Sequence, residues 1–521
     1  MHDEAIAGEA PAGLPPDVAT SPLFNADLAP TPPERRTWTT YNFAALWIAM
    51  AHCLPTYMLA GGLIALGMNW WQALLTIALG NVIVLVPILL NAHPGTKYGI
   101  PFPVLARSSF GTIGANVPAI LRAIVACGWF GIQTYIGGEA MRTFLVAVWP
   151  GFARIGGGHE ILGLSVPSAI TFGIFWLINI GIIVFGMNAV RVFENWSAPL
   201  ILLLGLWLMV WVVVRAGGLG PMFDRPSGFA TAADFWKVFV PSLTGMVGFW
   251  ATLSLNIPDF TRFGRGQREQ MLGQTLGLPT TMIAFSAMAV VITSAAETVL
   301  KGSDPAKLWD PVVLLGQITS STAPPGLDAP LIAGENMRLL VALLSLFGVA
   351  VATVSTNIAA NVISPANDFA NCAPRLISFR TGGVLTGVIG ILIMPWKLLD
   401  SAGSYIFNWL VGYSALLGPI AGIMIVDYWL IRRTRLDVPD LYRTDGRYAG
   451  VNWVALCALG LGVAPNVPGF LRSVKVLGGD PDGWDAIYPY AWFTGFIVAA
   501  VVYRIGMRRI RFGAATEDFG A

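Results

Sequence analysis

The chain has 521 residues, of which 55% are hydrophobic and only 12% are charged. A soluble domain carries about 25% charged residues, so this composition excludes an ordinary soluble protein and indicates lipid as the solvent for much of the chain. The 31 Lys and Arg residues nearly balance the 29 Asp and Glu residues, which leaves no basic excess of the kind that binds nucleic acid. The cysteines lie far apart and indicate neither a disulfide framework nor a zinc site: Cys53, Cys127, Cys372 and Cys457.

Residues 1 to 39 are rich in Pro, Ala and acidic residues. They lack the basic-then-apolar order of a cleaved signal peptide, and their composition predicts a disordered cytosolic tail. The first apolar segment after this tail is therefore expected to remain in the protein as a membrane span.

Apolar segments long enough to cross a bilayer as helices recur along the rest of the chain. With Pro, Gly and charged residues as boundaries, they predict twelve spans. These lie at 41–66, 70–93, 113–138, 166–187, 194–215, 238–257, 274–297, 338–361, 380–396, 403–430, 450–468 and 485–506. The sequence thus predicts an all-α membrane protein. Two amphipathic connections, 102–110 and 305–320, are expected to lie along the interface or to cap the mouth of a cavity.

The basic residues are distributed unequally between the two sets of connections. If the N-terminus is cytosolic, roughly 20 of the 31 Lys and Arg residues fall on the inner side, close to helix ends. The positive-inside rule then predicts a multi-pass protein of the cell membrane with both termini in the cytosol.

Two of the predicted spans contain helix-breaking residues. The middle of the first span reads Ala49-Met50-Ala51-His52-Cys53-Leu54-Pro55-Thr56, and the sixth contains Gly245 and Gly248 and meets Pro258. A break in a membrane helix leaves backbone groups unpaired, which is tolerated only where they line a protein cavity. Broken helices at corresponding places in two halves are typical of transporters built from inverted repeats.

The third span carries Trp129 and Gln133, which lie four residues apart and therefore on one helical face. An aromatic plane beside an amide suits a flat heterocycle with donors and acceptors on its edge. The alternative is a packed Trp with a Gln that bonds a neighbouring helix.

The eighth span ends in an unusual density of small polar residues. Ala352, Ser355 and Thr356 share one face, and Asn361 lies roughly 140° around the helix from Thr356. Two hydroxyls together with free carbonyls from a broken helix would suit a monovalent cation, so one helix could offer both an ion face and a substrate face. Alternatively, the hydroxyls only bond the carbonyls one turn earlier in their own helix.

Taken together, these residues resemble the nucleobase:cation symporter-1 family of cytosine, purine, uracil, allantoin and hydantoin permeases. The resemblance spans nearly the whole chain. The segments that carry it are Asn25-Ala26-Asp27-Leu28-Ala29-Pro30, Arg35-Arg36-Thr37-Trp38, Pro55-Thr56-Tyr57, Gly128-Trp129-Phe130-Gly131-Ile132-Gln133, Phe249-Trp250, Asn256-Ile257-Pro258-Asp259, Ser355-Thr356-Asn357, Ala360-Asn361, Ser364-Pro365, Gly418-Pro419 and Asp427-Tyr428-Trp429.

The resemblance implies a LeuT-type fold of two inverted five-helix repeats with two additional C-terminal helices. The transporter core would occupy 40–430, with repeats at about 41–215 and 238–430. The two C-terminal helices would lie in 431–507, followed by a cytosolic tail at 508–521.

The resemblance also implies which residues bind the ligands. The substrate would stack between Trp129 and Trp250, with Gln133 and Asn361 bonding its ring amides. A transported sodium ion would be held by the carbonyls of three residues and the hydroxyls of two: Ala49, His52 and Ala352, with Ser355 and Thr356.

The sequence departs from a hydantoin-transporting member of the family at two positions in the expected pocket. Cys53 stands where that relative has a glutamine, and Phe249 stands where it has a glycine. A thiol is a poor hydrogen-bond partner and a phenyl ring fills space, so the pocket is expected to be smaller on that side. A bulky 5-substituted hydantoin then fits it less well than a small one.

The most concrete hypothesis is a monomeric symporter that imports a small flat cyclic amide of the uracil, allantoin or hydantoin type together with sodium. One alternative is a proton-coupled purine or cytosine permease, and another is a channel or a transport-like sensor. An enzyme is not expected, because no nucleophile, base and oxyanion donor are grouped in a motif, and no cofactor is predicted.

Overall fold

The computed structural model describes residues 15–185 and 202–509, and helices dominate both parts. The helices of the first part are α1 (Thr40–Ala51), α2 (Leu54–Ala65), α3 (Trp70–Tyr98), α4 (Phe102–Phe110), α5 (Asn116–Val148) and α6 (Val166–Phe185). A short antiparallel hairpin, β1 (Glu160–Ile161) with β2 (Leu164–Ser165), precedes α6.

The second part begins with α7 (Leu202–Arg215). It continues with α8 (Ala232–Phe249), α9 (Ala251–Asn256), α10 (Pro258–Thr261), α11 (Gln267–Val299), α12 (Pro311–Ile318), α13 (Glu335–Asn361), α14 (Ile363–Cys372), α15 (Phe379–Leu392), α16 (Val411–Ile425), α17 (Trp453–Val463), α18 (Val467–Ser473) and α19 (Ala491–Arg509). Segments of π-helix, Ser404–Leu410 and Val426–Ile431, flank α16 on either side.

Within the described residues, eight helices are long and apolar enough to cross a membrane. The bent pair α1 and α2 provides a ninth candidate, with an angle of 59° between its halves. The predicted break in the first span is therefore confirmed. The spans expected at 166–187 and 194–215 extend into residues 186–201, which lie outside the described part, and the total of twelve stays a prediction.

The break expected in the sixth span is also present. Helix α8 ends at Phe249, Trp250 leaves the helical conformation with φ −103° and ψ 8°, and α9 begins at Ala251. Ile257, which keeps helical backbone angles, separates α9 from α10. The helix is therefore interrupted one residue after Phe249, eight positions before Pro258.

The N-terminal segment differs from its prediction. Residues 1–14 and 510–521 lie outside the described part, but from residue 15 onward the chain packs on the helices instead of being disordered. Val18 and Leu28 are fully buried, and the Trp38 N–H donates to the Phe263 carbonyl over 2.9 Å. A few apolar residues anchor the segment although its average composition is polar.

The connection at 102–110 was expected at the membrane interface or at a cavity mouth. It forms α4, and all nine of its residues are buried within the protein. The Arg107 guanidinium donates to the Asn371 Oδ1 over 2.7 Å and to the Leu441 carbonyl over 3.0 Å. The helix thus packs inside the protein and joins distant parts of the chain, because its basic residue finds acceptors there.

A buried ion pair joins α5 to α14. The Arg122 Nη1 lies 3.1 Å from the Asp368 Oδ2, and the two side chains are 1% and 0% exposed.

We expect Asp368→Ala to destabilise the protein by about 3–5 kcal/mol, because it leaves the buried Arg122 guanidinium unpaired. Thermal unfolding in detergent checks this. Asp234→Ala, which removes an exposed pair with Lys237, is the matched control and should change stability by only about 0–1 kcal/mol. Equal unfolding temperatures for the two variants would contradict the expectation.

Candidate functional site

The bend between α1 and α2 redirects two backbone N–H groups. The Cys53 N–H donates to the Ala51 carbonyl over 2.9 Å instead of to the Ala49 carbonyl. The Thr56 N–H likewise donates to the Cys53 carbonyl over 3.1 Å instead of to the His52 carbonyl. The carbonyls of Ala49 and His52 therefore lose the donors that a continuous helix would provide.

The interruption at Trp250 lies against the segment that leads into α16. The Tyr413 hydroxyl donates to the Gly248 carbonyl over 2.7 Å. A Cβ atom at Gly248 would come within 2.7 Å of the Leu410 carbonyl oxygen, so the close approach requires glycine. This packing holds Phe249 and Trp250 at the point where the helix breaks.

Between the two breaks lies a cavity that is partly open to solvent. All six predicted substrate residues line it: Cys53, Trp129, Gln133, Phe249, Trp250 and Asn361. They come from the first break, α5, the second break and the end of α13. The structure thus brings together residues that lie up to 308 positions apart in the sequence.

Aromatic rings form one side of this cavity. The Phe249 ring meets Trp129 edge to face at 5.3 Å between centroids, and it meets Trp250 in the same way at 4.9 Å. Trp129 also makes edge-to-face contacts with Trp409 and Tyr413. Phe249 therefore contacts both of the indole rings between which the substrate is predicted to stack.

The polar side chains of the cavity include atoms without a protein partner. Gln133 is 3% exposed, and its Oε1 has no hydrogen bond within the described part of the chain. The same holds for the Trp250 Nε1. The Asn361 Nδ2 donates to the Asn357 Oδ1 over 3.1 Å. The Cys53 Sγ lies 3.3 Å from the Thr56 hydroxyl. A buried polar group without a partner is unfavourable, so a ligand that bonds Gln133 and Trp250 would relieve both.

The residues predicted to bind the ion lie at the first break and on α13. Ala49 and His52 flank the first break, and the His52 ring packs on Phe285 at 5.0 Å between centroids. Thr356 lines the cavity itself. Ala352 is 1% exposed and lines a neighbouring apolar cavity. Ser355 lies between them in α13.

The cavity also has lining residues that were not predicted to bind the substrate or the ion. They are Met50, Pro55, Thr252, Leu253 and Ala360. Most are apolar and differ in no obvious way from packed residues of a membrane helix, so only their position reveals them. Thr252, the second residue of α9, is the polar member of this set.

Two further chambers flank α12, a helix within the 305–320 connection. They share Tyr135, Asp310 and Val313 as lining residues. The Asp310 Oδ1 accepts the Val312 N–H over 2.8 Å at the start of α12, and burial raises the pKa of this carboxyl to about 6. The connection therefore borders chambers, consistent with the expectation that it caps a cavity mouth.

Comparison with known proteins identifies the relatives of the chain. The purine-uracil permease NCS1 of Arabidopsis thaliana is 43% identical over 496 residues, which cover 94% of this chain and 78% of the relative. The allantoin permease of Bacillus subtilis is 40% identical over 490 residues, which cover 93% of both chains. These relatives are permeases and not enzymes.

Two solved structures of Mhp1 are similar to the chain in fold. An inward-facing structure of Mhp1 aligns with a TM-score of 0.71 and 26% identity over 93% of both chains. A closed structure of this nucleobase-cation-symport-1 transporter with bromovinylhydantoin bound aligns with a TM-score of 0.68 and 27% identity, over 93% of this chain and 95% of Mhp1. A profile for permeases of cytosine/purines, uracil, thiamine and allantoin matches residues 30–495. The chain therefore belongs to this permease family and is a multi-pass helical transporter.

Proposed function

We propose that this protein is a secondary active symporter that imports a small flat cyclic amide of the uracil, allantoin or hydantoin type together with sodium. The observation that carries the proposal is the cavity between the two helix breaks. It combines aromatic rings with two buried polar atoms, the Gln133 Oε1 and the Trp250 Nε1, that have no hydrogen-bond partner among the described residues. A flat ring with amide groups on its edge complements both features.

Substrate size is the second element of the proposal. Phe249 contacts Trp129 and Trp250 and so bounds the space between them. The Cys53 Sγ, within reach of the Thr56 hydroxyl, adds a weak hydrogen-bonding group on the side of the first break. We infer that the cavity favours small rings over those with a bulky substituent.

Sodium coupling is supported by the carbonyls at the first break. The redirected N–H groups of Cys53 and Thr56 leave the carbonyls of Ala49 and His52 available to a cation. Helix α13 packs against α1 and carries the other three proposed ligands, which are Ala352, Ser355 and Thr356. Neutral carbonyl and hydroxyl oxygens suit a monovalent ion.

The proposed architecture has twelve membrane helices in two inverted repeats at about 41–215 and 238–430, with two additional helices in 431–507. The alignment with Mhp1 in an inward-facing and in a closed conformation supports this arrangement and alternating access around a central site. We further propose a monomer in the cell membrane.

Both termini are proposed to face the cytosol. In a variant that also carries Cys457→Ala, we expect an introduced Ala521→Cys thiol to react with an impermeant reagent in inverted vesicles but not in intact cells. Cys457 is removed because it is exposed and would react itself. The opposite labelling pattern would contradict the orientation, which rests on the excess of Lys and Arg on the inner side.

The substrate class is tested by a binding panel on purified protein. Tryptophan fluorescence reports on the cavity because Trp129 and Trp250 line it. We expect quenching with uracil, allantoin or hydantoin in the presence of sodium. Uptake of a radiolabelled ligand against its gradient in proteoliposomes then separates a symporter from a channel or sensor, which cannot accumulate it. Tighter binding of purines or cytosine, without any effect of sodium, would favour the proton-coupled alternative.

A further inference from the structure

Three buried asparagines from two helices form a chain of hydrogen bonds that ends at the cavity. Asn179 lies on α6, and Asn357 and Asn361 lie one turn apart on α13; their exposed fractions are 0%, 0% and 9%. The Asn361 Nδ2 donates to the Asn357 Oδ1 over 3.1 Å, and the Asn357 Nδ2 donates to the Asn179 Oδ1 over 3.2 Å. The three side chains, called the asparagine relay below, connect the cavity to the face of α6.

The hydrogen bond at the Asn179 end of the asparagine relay fixes the orientation of the side-chain amides. The Asn179 Nδ2 donates to the Phe175 carbonyl over 2.8 Å. A backbone carbonyl can only accept, so the amide nitrogen of Asn179 must face Phe175 and its oxygen must face Asn357. Asn357 therefore has to offer its nitrogen there and its oxygen on the other side.

A second backbone carbonyl enforces the same orientation of Asn357. Its Nδ2 also lies 3.3 Å from the Phe130 carbonyl and 3.2 Å from the Thr134 Oγ1. The Thr134 hydroxyl donates to the Phe130 carbonyl over 2.7 Å, so it too can only accept from Asn357. The nitrogen of Asn357 is surrounded by acceptors, and turning the amide by 180° would place oxygen against oxygen.

The orientation of Asn357 determines how the Asn361 amide faces a ligand in the cavity. Because the Asn357 Oδ1 accepts an N–H from the Asn361 nitrogen, the Asn361 amide is held in one orientation, and its Oδ1 is the acceptor left for a ligand. Gln133 differs, because no partner of its Oε1 within the described residues sets its orientation. Gln133 can turn its amide either way, whereas the Asn361 oxygen keeps a fixed position.

We propose that the asparagine relay makes Asn361 a hydrogen-bond acceptor for a ring N–H of the substrate, and that Asn357 and Asn179 are positioning residues for it. This inference rests on the proposed function and states which group of the substrate Asn361 recognises. Uracil, allantoin and hydantoin are all cyclic ureides. In a ureide, N–H groups flank a carbonyl, and that carbonyl can accept from the Trp250 Nε1. A ring that places a C–H or a lone pair opposite Asn361 leaves its buried oxygen unbonded.

Ligand pairs that differ by one ring N–H test the inference. In succinimide a CH₂ group replaces the N1–H of hydantoin, and in pyrrolidine-2,4-dione a CH₂ group replaces its N3–H. The quantity measured is the ratio of the two dissociation constants within a pair, obtained from tryptophan fluorescence of the full-length purified protein in sodium. In the parent we expect at least one pair to show a ratio of about 10 or more, since a site built to bond an N–H rejects the analogue without it.

Variants then locate the origin of that ratio. Asn361→Leu removes the acceptor, and the ratio should fall to about 1, whereas Asn357→Leu and Asn179→Leu free the Asn361 amide to turn and should lower the ratio to about 3 or less. Thr353→Val is the matched control. Thr353 is buried on the same helix, and its hydroxyl donates to the Val349 carbonyl one turn earlier, so its replacement should preserve the parental ratio.

If Asn357 has only a structural role, Asn357→Leu will weaken the binding of both ligands of a pair by the same factor. An unchanged ratio in this variant would therefore overturn the relay. A parental ratio near 1 in both pairs, or an undiminished ratio in Asn361→Leu, would contradict the proposal that Asn361 accepts a hydrogen bond from a ring N–H. If Asn357→Leu does not fold, Asn179→Leu carries the same comparison. A parent that binds neither hydantoin nor uracil contradicts the proposed function itself.

Discussion

Replacing Trp129, Gln133 or Asn361 by alanine is expected to weaken substrate binding by about 1–3 kcal/mol, or roughly 5-fold to 150-fold, for each residue. The reasons differ between the three. Trp129→Ala removes a ring that is held by contacts with Phe249 and Trp409, and so removes a stacking surface. Gln133→Ala and Asn361→Ala leave an amide group of a desolvated ligand without a partner.

Dissociation constants from fluorescence quenching, together with uptake into proteoliposomes, check this expectation. Asn466→Ala is a matched control for Asn361→Ala. Asn466 is 1% exposed and bonds the carbonyls of Gly462 and Ala491, among the C-terminal helices and away from the cavity. This variant should bind like the parent. If all three cavity variants also bind and transport like the parent, the substrate site lies elsewhere.

The substrate side of the cavity could be predicted from the sequence to a large extent, because its residues stand in recognisable local patterns. Trp129 and Gln133 share a helical face, and Pro55 marks the break that carries Cys53. The second break was assigned only through the glycines and Pro258. Its true position at Trp250 depends on how tightly Gly248 packs on Leu410, which is a contact between distant segments.

The asparagine relay and the N-terminal segment could not be predicted for a related reason. Asn179 bonds Asn357 across 178 positions, and Asn179 stands in no pattern that distinguishes it from other polar residues of a membrane helix. Composition indicated disorder for residues 1 to 39, but average composition does not show that Val18 and Leu28 each find a buried site. Both features follow from tertiary packing that local propensity does not encode.

Sodium is expected to raise the affinity for substrate, and substrate is expected to raise the affinity for sodium by the same factor. This reciprocity is thermodynamic and holds for any two ligands that stabilise the same conformation. The common element is α13, because its Thr356 and Asn361 both line the cavity. The carbonyls of Ala49 and His52 at the facing break would supply the remaining ion ligands.

Ser355→Ala and Thr356→Ala should abolish the effect of sodium while leaving weak binding that does not depend on sodium. Ser355→Ala is the cleaner test, because Thr356 lines the substrate cavity and its replacement also alters the cavity wall. Ser345→Ala is the matched control on the same helix. The Ser345 hydroxyl bonds the Val341 carbonyl one turn earlier, so this variant should keep the full sodium effect.

The deciding measurement is a substrate titration of the parent at zero and at saturating sodium, with the ionic strength held constant by choline. A higher affinity in sodium, with the reciprocal effect in a sodium titration, supports coupling through α13. Equal affinities in the two conditions would overturn sodium coupling and favour a proton instead. The residues to replace next would then be His52 at the first break, Glu139 in one of the chambers that flank α12, and Asp259. The Asp259 carboxylate is buried and accepts hydrogen bonds from the Phe102 N–H and the Ser364 hydroxyl.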